Sequence, residues 1–435
     1  MIDKVRHVIS NPLFSGSALM VIGSNLINGM NYLYHFAMGR VLGITAYGEL
    51  VAFFSLISLL SMVPMSFSMV VTKFVSSTNS TEKVQGFLYV FYKYVFVITG
   101  ILFLLLLILI PNISDFLHVE NNSLTFLTLL VFALSLPVMI NRAALQGLLR
   151  FNSLLSSLFV ENILKLVGGL LFVYIGWSVG GALIAIIIGL VVSFLISILF
   201  MRDYPPLSRF SPDSIKPLLI YSIPVFVNFV AITLFSNSDL LLVKHFFDPE
   251  QAGTYAAAAV LSKVILFGVG PIASVMFPII ATKHSQNEDY FSVFLFTLGI
   301  VTFFCLIAIF GYTFLSVLVI GTLYGETFLA AGSLLSLFSI YISLFSLSTV
   351  FNNYFLAIGD TKAVCFSLFA AILQVVGISY FHQSLEQVLL LSIFISALLL
   401  GVLIVYSIYE RRLSNKVSFG NSASIQTRKN NRKRS

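Results

Sequence analysis

Charged side chains are scarce in this chain: Asp, Glu, Lys and Arg together make up 9% of its 435 residues, while 58% are hydrophobic. Soluble domains carry about 25% charged and about 45–50% apolar residues. The shortfall excludes a water-soluble globular protein, because lipid has to solvate apolar surface that no water-facing shell can hide. Cysteine is nearly absent too. Cys305 and Cys365 lie in separate apolar runs, which leaves neither a disulfide framework nor a metal-ligand spacing. No Walker loop, HExxH, paired CxxC or GxSxG occurs, so neither ATPase, zinc nor acyl-transfer chemistry is expected, and the chain reads as a non-enzyme without cofactor or metal. The opening residues MIDKVRHVISNP lack a short apolar core followed by a small-residue cleavage site. No removable signal is expected, and the N-terminus is expected to stay cytosolic.

What the chain has in abundance is long apolar runs. Twelve stretches of about 20 or more residues can cross a ~30 Å hydrocarbon layer as helices: 13–38, 47–72, 84–110, 122–142, 154–175, 178–201, 214–243, 253–281, 291–316, 328–350, 362–381 and 386–409. Runs such as ILFLLLLILI (101–110) and GALIAIIIGL (181–190) are apolar on every face, which argues against a barrel. No connection exceeds about fifteen residues, so there is no room for the catalytic lobe of a polymerase or glycosyltransferase.

Cations orient such a chain, because cytoplasmic connections collect Lys and Arg. Of 24 Lys and Arg residues, only Arg40 and Lys244 fall outside, and Lys93, Lys165 and Lys263 fall within stretches; every other one shares the side of the N-terminus. Both termini are therefore expected in the cytosol. The tail ending in RKNNRKRS (428–435) reads as an orientation signal and a contact for anionic membrane lipid rather than for nucleic acid. Residues after Glu410 are polar and expected to be disordered.

Shifting the sequence by about 205 residues lays the first six stretches over the last six. GRVLGITAYG (39–48) falls over KHFFDPEQAG (244–253), which pairs Arg40 with Lys244 and Gly48 with Gly253 within one position; Pro64 and Pro271 nearly coincide. The expected organisation is an N-terminal lobe (1–205), a C-terminal lobe (206–410) and a basic tail (411–435). An even number of crossings per lobe makes this a parallel repeat, with a pseudo-twofold axis along the membrane normal and a central cavity that rocking can open to either side. A duplicated scaffold without transport is the alternative.

A charge at the bilayer centre costs at least about 2.5–3.5 kcal/mol, so each one should face a cavity or a partner. Lys263 lies ten residues beyond Gly253, near mid-membrane, with Ala256 and Ala259 on its face. A site for a diphosphate or acidic sugar, an ion pair between lobes and a snorkelling side chain all fit it. Glu161 and Lys165 are four apart with the acid first, so they either pair with each other or face the cavity. Ser24, Asn28, Asn31 and His35 form a polar stripe on the first stretch, which Asn228 and Asp239 repeat sparsely on the seventh. The stripes suit either broad sugar recognition in a cleft or interhelical hydrogen bonding. Near the outer ends, His35 or Arg40 could meet Asp239 of the other lobe as a gate, with Lys244 a turn beyond. Asp239 could instead carry a coupling proton or sodium ion. Pro64, Pro137, Pro224, Pro271 and Pro278 fall within stretches and mark helices that bend.

The segments GRVLGITAYG (39–48), QGLLRF (146–151), NSDLLLVKHFFDPEQAGTY (237–255) and the Phe-Pro pair 277–278 resemble the polysaccharide flippase branch of the multidrug/oligosaccharidyl-lipid/polysaccharide (MOP) exporter superfamily. The resemblance runs over nearly the whole chain. It implies a MATE-like fold in a bacterial-type inner membrane and movement of undecaprenyl-diphosphate-linked oligosaccharide from the cytosolic to the outer leaflet. Partners would be the lipid-linked glycan, membrane lipid and a glycan polymerase or assembly enzymes. A cation-coupled multidrug exporter of the same superfamily is the alternative. Relatives with fourteen spans carry an extra pair that forms a lipid-tail groove, and this chain stops short of that pair.

Overall fold

A computed structural model describes residues 12–78, 80–205, 216–286 and 288–432, with side chains given from Leu19 in the first helix, from Phe226 in the ninth and up to Arg411 in the last, except Ser274. The described residues form helices and short connections. In hydrocarbon every backbone N–H and C=O needs an internal partner, and apolar runs of this length satisfy that only as helices. In chain order they are α1 (Pro12–Leu42), α2 (Ile44–Leu60), α3 (Met62–Ser76), α4 (Thr81–Ile108), α5 (Ile110–Phe116), α6 (Asn122–Gly147), α7 (Phe151–Phe172), α8 (Ser178–Phe200), α9 (Lys216–Phe246), α10 (Pro249–Ser285), α11 (Phe291–Leu323), α12 (Ala331–Ala357), α13 (Lys362–Tyr380) and α14 (Leu385–Arg432).

Start signals place several ends. Asp248 caps α10 by accepting the Gln251 N–H at 2.9 Å, with Pro249 in the first turn, so this helix begins earlier than the apolar run alone predicts. Ser80 caps α4 and Asn121 caps α6 in the same way. The α2–α3 pair bends by 46°, with Pro64 in the first turn of α3.

Nine helices among the described residues are long and apolar enough to cross a membrane, or ten if the bent α2–α3 pair is one span. That is fewer than the twelve expected. One reason is that Phe151–Phe200 counts as a single stretch of 50 residues, about 75 Å at 1.5 Å per residue and far longer than the bilayer. The backbone turns within it at Gly176 (φ 103) and Ser178 (φ 44). Gly176 holds a left-handed conformation that a side chain would strain. Across this turn α7 and α8 pack antiparallel, with the Ser157 and Ser193 hydroxyls 2.7 Å apart. The other reason is α1, whose first side chains lie outside the described set, as does that of Pro224. The last helix runs to Arg432, where the sequence suggests disorder after Glu410. Residues 411–432 contain no proline, and extending a helix already formed in the span avoids a second nucleation step.

The packing partners recur. α1 packs on α7, α7 on α8, α8 on α6, and α6 on α3 and α4; in the same order α9 packs on α13, α13 on α14, α14 on α12, and α12 on α10 and α11. The helices α4 and α11 are peripheral and turn apolar side chains outward, with Ile108 at 73% and Phe314 at 70% exposure, as lipid-facing surface requires. Between the two sets, α2 packs on α9 and α10, α3 on α9, and α1 on α10. Gly48 and Gly253, aligned by the repeat, meet at the α2–α10 crossing: a Cβ on Gly253 would stand 2.0 Å from the Ile44 carbonyl oxygen.

That contact admits no methyl group without moving backbone. Gly253→Ala is expected to destabilise the protein by about 1–3 kcal/mol, the range for overpacking. Gly29→Ala, which meets nothing within 4 Å, is expected to be neutral or mildly stabilising. Thermal unfolding in detergent checks both.

Candidate functional site

A cavity of about 300 Å³ lies where α1, α2 and α7 face α9 and α10. Helical spacing aims its walls. Asn28, Asn31, Tyr32 and His35 recur on one face of α1; Val51, Phe54, Ser55 and Ser58 do so on α2, and Val260, Lys263 and Phe267 on α10. Lys165 enters from α7, and Ser236, Asn237 and Leu240 from α9.

Two lysines reach this cavity, each held by an asparagine. Lys263 Nζ donates to Asn237 Oδ1 at 3.0 Å, and Lys165 Nζ donates to Asn31 Oδ1. Each amide nitrogen is anchored one turn back along its own helix: Asn31 Nδ2 donates to the Ile27 carbonyl at 3.2 Å and Asn237 Nδ2 to the Thr233 carbonyl at 3.1 Å. That anchoring turns the amide oxygen toward the lysine. Lys165 Nζ also lies 4.7 Å from the centre of the Tyr34 ring, a cation–π contact that favours the charged amine. An amide oxygen accepts a proton contact without cancelling charge, and among the described residues no carboxylate belongs to the lining. The arrangement therefore offers positive charge and amide or hydroxyl hydrogen bonds to whatever enters. Among the described residues no three His, Cys, Asp or Glu side chains converge to hold a metal ion.

The structure brings Lys263, Lys165, Asn28, Asn31 and His35 together at the cavity and leaves the other sequence candidates outside its lining. Glu161 does not pair with Lys165. It accepts from Arg142 Nη2 at 2.6 Å, because a guanidinium also donating to Ser157 and Ser193 fixes the carboxylate better than a flexible amine one turn away. Asn228 is half-buried, and its Oδ1 has no hydrogen-bond partner. Asp239 is buried and accepts from the Tyr255 hydroxyl at 2.9 Å, while its Oδ1 has no partner; it lies within electrostatic reach of Lys263 but forms no ion pair within 4 Å.

The expected gate pairs are not formed either. Arg40 donates from Nε to the Leu323 carbonyl at 3.0 Å and from Nη2 to the Thr322 carbonyl. These are free carbonyls at the C-terminus of α11, where the helix dipole is negative, so they attract the guanidinium without a carboxylate. His35 Nδ1 stands 3.3 Å from the Tyr47 hydroxyl, which is 3.0 Å from the Tyr324 hydroxyl. Lys244 is buried near Glu49. Together with the Gly48–Gly253 crossing, these contacts seal the bundle at its Arg40 end. Sequence reasoning missed Asn237, although it stands 206 residues beyond Asn31, close to the repeat offset. Tyr47, Tyr324 and Arg142 carried no comparable signal, since a lone tyrosine or arginine near a helix end has many uses.

The sequence matches the family described as "Polysaccharide biosynthesis protein" over residues 14–284. This chain belongs to that family. Its described helices, nine of them long and apolar enough to cross a membrane, make it a multi-pass membrane member of that polysaccharide-biosynthesis family. No curated protein matches the sequence significantly. Among solved structures, an inward-facing MATE multidrug resistance transporter of the MOP superfamily is similar with a TM-score of 0.73 at 14% identity, over 88% of this chain and 95% of that one. The lipid II flippase MurJ in an inward closed conformation has a TM-score of 0.73 at 14% identity, over 90% and 87%. A MOP transporter from Pyrococcus furiosus Vc1 (DSM3638), described as having a binding pocket of reversed polarity, has a TM-score of 0.63 at 16% identity, over 94% and 97%. At these identities the likeness establishes a shared fold.

Tyr47→Phe removes a buried hydroxyl contact across the sealed end and is expected to cost about 0.5–1.5 kcal/mol. The double variant Tyr47→Phe/Tyr324→Phe should lose less than the sum of the singles, because the two hydroxyls satisfy each other. Unfolding midpoints of the four proteins in detergent give the coupling.

Proposed function

We propose that this transporter is a flippase for undecaprenyl-diphosphate-linked oligosaccharide units, carrying them from the cytosolic to the outer leaflet by alternating access. The observation that carries this reading is the pair of asparagine-held lysines in a cavity with no acid among its described lining residues. A diphosphate crossing hydrocarbon needs compensating positive charge, and lysine is a sound phosphate ligand. Amides and hydroxyls from Asn28, Ser55 and Ser58 suit sugar hydroxyls passing through. At about 300 Å³ the cavity stands at the lower end of small-ligand pockets. An oligosaccharide therefore requires the two halves to part. The proposed architecture is twelve crossings in two lobes, 1–205 and 206–410, with both termini cytosolic in a bacterial-type inner membrane. Cation counts, recurring packing partners and the turn at Gly176 support it. In that orientation the sealed Arg40 end faces outward, so access is from the cytosol. A glycan polymerase or assembly enzyme is the proposed partner downstream.

A second reading is a cation-coupled multidrug exporter, favoured by the MATE-like fold and by Asp239 with its unpartnered oxygen. The cationic lining opposes it, because amphipathic cations would meet two lysines and no carboxylate.

The two readings separate experimentally. Lys263→Ala and Lys165→Ala are each expected to abolish surface glycan at native protein abundance, while the Arg variants retain part of it. Normal export by both Ala variants, or efflux of amphipathic cations from a sensitised host, would overturn the flippase reading.

A further inference from the structure

We propose that Arg142, outside the cavity, is a positioning residue that keeps the Lys165 charge available by holding Glu161 away from it; the proposal rests on the flippase reading, in which Lys165 meets an anion. The two residues share a face of α7 four positions apart with the acid first, the arrangement that favours an intrahelical ion pair. In a poorly hydrated bundle such a pair would form readily and cancel half of the positive charge in the cavity. Glu161 and Lys165 lie within electrostatic reach but form no ion pair within 4 Å, because a second cation holds the carboxylate. Arg142 Nη2 donates to Glu161 Oε2 at 2.6 Å, to the Ser157 carbonyl at 3.1 Å and to Ser193 Oγ at 2.7 Å, while its Nε donates to Ser157 Oγ at 3.1 Å. The guanidinium is thereby tied to three helices, with Arg142 on α6, Ser157 and Glu161 on α7, and Ser193 on α8. Both partners are largely buried, at 13% and 19% side-chain exposure. A buried pair of this kind resists losing one member, because the survivor is left as an unpaired charge.

The physical consequence follows from that asymmetry. With Arg142 removed, the nearest cation along the helix for Glu161 is Lys165, and the amine would turn from Asn31 and the Tyr34 ring toward the carboxylate. The lysine would still be present, yet its charge would be spent inside the protein. With both Arg142 and Glu161 neutral, nothing competes and Lys165 stays with Asn31. Arg142 thus acts through Glu161 upon Lys165, without touching the cargo itself.

The test measures binding of farnesyl diphosphate to the purified full-length protein in detergent, alongside surface glycan per unit of folded protein. Arg142→Gln is expected to weaken farnesyl diphosphate binding about tenfold, as loss of one charge-assisted contact does. Glu161→Gln and the double variant Arg142→Gln/Glu161→Gln are expected to bind within about twofold of the unaltered protein, and Arg142→Lys to recover most of the loss. A double variant as weak as Arg142→Gln, or an Arg142→Gln variant that binds normally, would overturn the proposal. Should Arg142→Gln fail to fold, Ser157→Ala/Ser193→Ala loosens the guanidinium without deleting a charge; with and without Glu161→Gln it makes the same comparison. Lys165→Ala separates the two levels of inference, since normal binding in that variant would remove the anion site itself, whereas loss of binding there with a normal Arg142→Gln would remove only the positioning role.

Discussion

An ammonium group in hydrocarbon is tolerated only where something other than lipid surrounds it, and two such groups line one cavity in this bundle. Much of the interior can be understood as the means of keeping them there. Asn31 and Asn237 are each anchored to a carbonyl one turn earlier, so the amide oxygens are aimed before a lysine arrives. The Tyr34 ring covers one flank of Lys165. Arg142 and Glu161 neutralise each other outside the cavity lining. An acid among the lining residues would have removed the need for all of this, and with it the attraction for an anion.

Much of the fold was legible because lipid imposes a simple rule: runs apolar on all faces have to become helices of span length. Hence the expected stretches 178–201, 291–316 and 362–381 begin at or within a residue of the starts of α8, α11 and α13. The expected break between stretches 154–175 and 178–201 falls where the backbone reverses, at Gly176 and Ser178. What the sequence left open was the local geometry, a positive φ at Gly176. Of the site, the lysines and the α1 stripe were legible because polar residues are rare enough in such a chain to stand out. Partner choice was not. Spacing makes Glu161 and Lys165 neighbours on one face, yet Arg142 comes from a different helix and wins the carboxylate. Likewise Arg40 meets the carbonyls that end α11 rather than Asp239, a choice made by backbone ends that no residue pattern advertises.

The glycine crossing shows how the repeat serves the seal. Gly48 and Gly253 are equivalent under the sequence offset and also touch, so they sit close to the axis relating the halves. Small residues on that axis let the α2 and α10 backbones approach closely, and nearby Tyr47 of α2 meets Tyr324, at the end of α11, within hydrogen-bond distance. A seal built from tyrosine hydroxyls and helix-end carbonyls is modest in strength, each contact contributing about 0.5–1.5 kcal/mol, as the proposed alternating access requires.

Each lysine shares a half with its asparagine: Lys165 on α7 with Asn31 on α1, Lys263 on α10 with Asn237 on α9. The rocking that the proposed alternating access requires would therefore leave both hydrogen bonds intact and alter only the gap between the amines. Like charges push apart when nothing lies between them, whereas an anion between them pulls both inward. In the flippase proposed above, cargo and hinge would thereby be mechanically linked: the empty protein would be sprung toward gaping, and the loaded one drawn shut by its own passenger.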